Sequence, residues 1–208
     1  KNMPETTLAQ YISMIDSLNS NSYSKVLDIL LNISPNGIDN FILPILQTWA
    51  AAGSNKELGG LEIMKGQANR GVLDPLYDYQ SALIYEFIGD IENAHISYKN
   101  IIKRSNNANA HVYSRAAIFF ANNNLQDLYS ETLNKLETID PYSNELFILK
   151  KNENYAKETK ISNIKQGISE VFLNSAEILF NEGLDRQALI YAQISSYLEP
   201  KSDSANYL

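Results

Sequence analysis

Leu83-Ile84-Tyr85-Glu86-Phe87-Ile88-Gly89-Asp90-Ile91-Glu92-Asn93-Ala94-His95-Ile96-Ser97-Tyr98 decides the fold. An apolar helical stretch runs into Gly89, and beyond it Ala94, Ser97, Tyr98 and Ile101 recur at helical spacing. Glycine between two such stretches suits the left-handed residue that ends a helix. The segment therefore predicts helix, tight turn, helix. Thr48–Gly53 and Ile178–Gly183 end in the same way, and Asn19 and Asn124 take equivalent places, asparagine being the next-best residue for that conformation. Asn19, Gly53, Gly89 and Asn124 stand 34, 36 and 35 residues apart, and Gly183 follows 59 residues later. Asp140-Pro141 and Glu199-Pro200 close helical segments 16 or 17 residues after their turn residue, where proline cannot continue a helix. The pattern predicts an all-α chain of five hairpins, over about 6–33, 39–67, 75–104, 109–139 and 162–198, interrupted by an irregular insertion at about 142–161.

The third unit resembles the tetratricopeptide repeat family. Ala82, Tyr85, Gly89-Asp90, Ala94 and Tyr98 fall where that family places its interlocking small and large residues. The fifth unit is similar through Ala176, Leu179, Gly183, Ala188 and Ala192, closing on Glu199-Pro200. The fourth has Tyr129 in place of the expected alanine, while Ala117, Phe120 and Pro141 keep the phase; the first two units rest on turn spacing and amphipathicity. The resemblance implies a single right-handed α-solenoid over residues 1–208. A looser likeness to arrays of exported bacterial proteins implies the cell envelope or periplasm over the cytoplasm.

The chain has 208 residues, 44% of them hydrophobic and 20% charged, which is globular rather than disordered composition. The net charge of −7 is shared almost evenly by the two halves, so no basic tail offers a nucleic-acid footprint. The absence of cysteine excludes disulfides, thiolate zinc sites and cysteine nucleophiles. Phe41–Ala52, the most apolar run, is too short to span a bilayer. Lys1 opens without a leader, and Ser204–Leu208 starts as another unit would. Both suggest a longer native chain, or a partner or second copy covering the C-terminal end.

Catalytic raw material is thin. His95 and His111 fall on polar helical positions as satisfied or solvated surface residues, the carboxylates are scattered, and Gly59-Gly60 lies in an amphipathic stretch rather than a phosphate loop. No cofactor or metal is expected, and no catalytic residue is assigned. Lys103-Arg104 and Lys150, Lys151, Lys157, Lys160 and Lys165 are the material for a nucleic-acid reading, opposed by the surrounding negative charge. In tetratricopeptide-like stacks the first helix of each unit lines the concave surface. Tyr79, Leu83 and Glu86, then Ser114, Ile118 and Asn122, then Leu173, Glu177 and Phe180 would line it here and bind a peptide segment of another protein. Tyr77, Tyr79 and Tyr113 are further groove or rim candidates, and Arg115 pairs with Glu86 or with a ligand. The expected role is a non-enzymatic interaction scaffold; the alternatives are an accessory domain of a larger enzyme, or self-assembly through the C-terminal end.

Overall fold

The computed structural model describes residues 6–54, 74–104, 109–151 and 160–200, all helical apart from turns and short connections. Ten helices occur among the described residues: α1 (Thr7–Asn19), α2 (Tyr23–Leu31), α3 (Asp39–Gly53), α4 (Asp74–Ile88), α5 (Ile91–Arg104), α6 (Ala110–Asn122), α7 (Gln126–Ile139), α8 (Asn144–Lys151), α9 (Ile164–Asn181) and α10 (Asp185–Leu198). The second half of hairpin 39–67, with Gly59-Gly60, lies outside the described residues, as do Lys157 and Ser204–Leu208.

One turn is used four times. Asn21, Gly89, Asn124 and Gly183 have left-handed backbone, with φ of 53°, 81°, 57° and 74°. At each, the amide of the left-handed residue donates to the carbonyl three residues back, and the next amide donates to the carbonyl five residues back. This pair of bonds satisfies the carbonyls that a helix end leaves open and starts the following helix two residues later. Hairpins α6–α7 and α9–α10 also close alike: Asp140 (φ −139°, ψ 79°) and Glu199 (φ −134°, ψ 78°) hold the extended backbone that a following proline imposes.

Two of the expected turn residues are corrected. Asn19 is the last residue of α1, and the turn falls at Asn21, because Leu18 is fully buried and its carbonyl accepts the Asn21 amide. Gly53 is not left-handed but ends α3. It is small because a Cβ there would stand 2.8 Å from Ile164 Cγ1 and 2.9 Å from the Tyr23 ring.

The chain divides into two compact units, residues 1–77 with 163–208, and residues 78–162. In the first, α3 packs on α2 and also on α9. Trp49 of α3 is fully buried against Gly167 of α9, and Tyr11, Phe172 and Tyr191 form an aromatic cluster with centroids 5.2–6.3 Å apart. The Tyr11 and Tyr191 hydroxyls both donate to Asp39 Oδ1, at 2.7 and 2.8 Å. A stack in strict chain order touches only sequence neighbours. Here the expected fifth hairpin lies directly on the second, held there by the buried carboxylate and by the space that Gly167 leaves for the indole.

In the second unit α6 is buried without a break from Tyr113 to Phe120, and Tyr98 of α5 lies 4.7 Å from the Phe119 ring. The segment read as an irregular insertion contains α8, which buries Leu146 and Leu149. Tyr129, found where a small residue was expected, donates its hydroxyl to the Leu149 carbonyl at 2.7 Å. The larger side chain thus ties α8 to α7. The expected small residues Ala82, Ala94, Ala176, Ala188 and Ala192 are buried, whereas Tyr85 is only half-buried.

Candidate interaction surface

The side chains expected to line a concave groove are mostly inside the protein. Tyr79, Leu83, Ser114, Ile118 and Leu173 are buried; Glu86, Asn122 and Glu177 are half-buried; Phe180 alone is well exposed, at 55%. The reason lies in helix packing. Tyr79 and Glu86 lie a turn or two apart on one face of α4, and that face meets α6, where His111 sits edge-on to the Tyr79 ring at 6.4 Å and Arg115 attracts the Glu86 carboxylate. The packing of α4 on α6 thus consumes much of the face of α4 that was assigned to a ligand. Tyr77, Tyr79 and Tyr113 are likewise core rather than rim, Tyr77 donating to the Phe41 carbonyl at 2.6 Å.

Glu86 is the most perturbed carboxyl among these residues. Burial raises its pKa above the ordinary 4.5, against the opposing attractions of Arg115 and Lys160 and a 2.8 Å hydrogen bond donated by the Tyr98 hydroxyl. A carboxyl raised in the folded state favours folding below its unfolded pKa and loses that contribution as pH climbs through the folded value. Glu86→Gln keeps the Tyr98 bond and removes the charge. Its urea midpoint is expected to match the wild type at pH 4 and exceed it at pH 7; a lower midpoint at pH 7 would show that the Arg115 attraction dominates.

The histidines, expected as satisfied or solvated surface residues, are both partly covered. Both are half-buried, His95 edge-on to Phe120 at 6.2 Å, with no hydrogen-bond partner for its Nε2 among the described residues. Among those residues no group of three or more His, Asp or Glu is placed to hold a metal ion, and no helix is long and apolar enough to cross a membrane.

Large apolar side chains emerge elsewhere. At the turn between α7 and α8, Ile139 and Phe147 are exposed and Tyr142 is 95% exposed. Lys151 lies over the Phe147 ring at 3.9 Å, and Lys150 pairs with Glu137 at 2.8 Å. On α10, Leu189, Ile190 and Tyr197 face outward. Sequence reasoning left both places as non-groove segments. The available signal was the aromatic Tyr142 directly after Pro141, and apolar residues on the side of α10 opposite Ala188, Tyr191 and Ala192. Compared with known proteins, the chain matches no family model and no curated protein.

Proposed function

We propose that this chain is a non-enzymatic scaffold of tetratricopeptide-like hairpins that binds another protein, and that the contact is made at the α7–α8 corner rather than in a groove. The observation that carries this is Tyr142, 95% exposed beside exposed Ile139 and Phe147. Aromatic and apolar groups held in water around one turn gain by being covered, and tyrosine is favoured at protein interfaces. Lys150 is engaged by Glu137 and Lys151 lies over Phe147, so a partner segment with apolar side chains fits the corner best. The repeated two-bond turns and buried alanines support the tetratricopeptide-like character of the units. The net charge of −7 favours a protein partner over nucleic acid.

A photo-crosslinking amino acid placed at position 142, used in native cell extract, is expected to capture one protein. That capture should vanish when Phe147→Glu is added with helicity and melting unchanged. Crosslinking spread over many proteins, or insensitive to Phe147→Glu, would sink the proposal.

A further inference from the structure

Asn36-Gly37 is the only asparagine–glycine pair in the chain, and it stands in the connection that leads into α3. Both residues are exposed. Gly37 has left-handed backbone, φ 56°, and a Cβ there would meet nothing within 4 Å. The Asn36 carbonyl accepts the Asp39 amide at 3.1 Å, and the Gly37 carbonyl accepts the Asn40 amide at 3.4 Å and Asn40 Nδ2 at 3.0 Å. Two groups in this turn are left over. Among the described residues the Gly37 amide donates to no acceptor, and the Asn36 side chain makes no hydrogen bond. The asparagines that precede serine are held differently. After Asn19 the Ser20 amide donates to the Asp16 carbonyl at 3.2 Å, and after Asn21 the Ser22 amide donates to the Ser17 carbonyl at 2.9 Å. Ser175, after Asn174, is buried inside α9.

We propose that Asn36 is a self-modification site, at which the uncommitted Gly37 nitrogen attacks the Asn36 side chain and converts it to isoaspartate. The nitrogen gives up its proton and bonds to Asn36 Cγ; the Cγ–Nδ2 bond breaks, and Nδ2 leaves as ammonia with that proton. The nucleophile is the next atom of the same chain and needs no encounter, and glycine adds no side chain to hinder the five-membered imide. Water then opens the ring at either carbonyl. Attack at Cγ gives aspartate and leaves the turn intact. Attack at the Asn36 main-chain carbon gives isoaspartate: the chain now runs through Cβ and Cγ, and the carbonyl that held the Asp39 amide becomes a free carboxylate. The path into α3 grows by one carbon–carbon bond, about 1.5 Å. Asp39 is the buried acceptor of the Tyr11 and Tyr191 hydroxyls, so this product loosens the joint that ties the first helices to the last. The inference goes beyond the partner-binding proposal and does not rest on it.

Storage of the folded full chain at pH 7 and at pH 9, followed by isoelectric focusing and peptide mapping, tests it. The expected result is a new species one charge more negative than the fresh chain, formed faster at pH 9 because the attacking nitrogen must lose its proton. Labelling with an isoaspartate-specific methyltransferase should map to position 36. Asn36→Gln, which would need a six-membered ring, should not form the species. Asn36 should react about a hundredfold faster than Asn19, Asn21 or Asn174, the scale on which lost alignment slows an attack. That gap should narrow in urea, where the serine amides are released. Modification first at another asparagine overturns the proposal, and so does a gap unchanged in urea. Asn36→Asp carries the added charge on a normal main chain, so its urea midpoint should stay near the wild type while that of the purified isoaspartate species falls below it. Equal midpoints for these two overturn the link from position 36 to Asp39.

Discussion

Alanine in place of Gly167 will lower the stability of the unit formed by residues 1–77 and 163–208 by about 1–3 kcal/mol, read as a fall in the urea midpoint. Inside a helix this exchange by itself favours folding by up to about 1 kcal/mol. The surroundings reverse the sign, because the added Cβ would stand 2.4 Å from Trp49 Cζ3 and 2.5 Å from Cδ2 and Cε3. Carbon atoms attract best at about 3.5–4.0 Å, so the methyl falls deep in the repulsive range. Trp49 is fully buried and cannot swing into solvent to make room. Trp49→Leu alone should be destabilising through the cavity it leaves. Combined with Gly167→Ala it should cost less than the sum of the two, with an interaction of about 0.5–3 kcal/mol. An unchanged or higher midpoint for Gly167→Ala would mean that α9 does not pack on α3 in this way.

Asp39→Ala is expected to cost about 2–5 kcal/mol in the same unit. Its carboxylate is buried in the first turn of α3, where the helix dipole favours negative charge, and it receives both the Tyr11 and Tyr191 hydroxyls. Burial, before any other cause, pushes the Tyr11 hydroxyl well above the usual tyrosine range; burial and the nearby Asp39 charge do the same to Tyr191. Both phenols therefore remain donors throughout the physiological range. Removing the carboxylate strands two buried donors, while removing one tyrosine hydroxyl leaves the acceptor still engaged by the other. Tyr11→Phe and Tyr191→Phe should accordingly be milder singly, and their combination should exceed the sum, because only the double variant leaves a buried charge with neither phenol. Additive losses in a double-mutant cycle would contradict the shared-acceptor geometry.

What was legible in the sequence was local. Gly89, Asn124 and Gly183 were placed correctly, because a left-handed helix end is a backbone demand that few residue types satisfy. Asn21 was missed for Asn19, since two asparagines two residues apart satisfy that demand equally and only the burial of Leu18 chooses between them. Gly53 shows the limit from the other side: its smallness answers to Ile164, 111 residues away, which no helical periodicity reveals. The burial of most candidate groove residues was hidden for the same reason. The period of α4 places Tyr79 and Glu86 on one face, but whether that face meets water or α6 is a fact about packing, visible only in the His111 and Arg115 contacts. The exposed corner at Tyr142 was within reach of the sequence, because a turn closed by proline and followed directly by an aromatic residue leaves that ring little to pack on.

The pairing of α3 with α9 also sets a clock. Ribosomes deliver about 5–20 residues per second, so the 152 residues from Asp39 to Tyr191 take on the order of ten seconds or more to emerge. For most of that interval Trp49 exists without Gly167, and throughout it Asp39 exists without Tyr191. Residues 78–162, continuous in the chain, have all their own partners earlier. During synthesis the protein therefore passes through a state with a finished middle and an open beginning. Its nascent first helices are the part a holdase would have to guard.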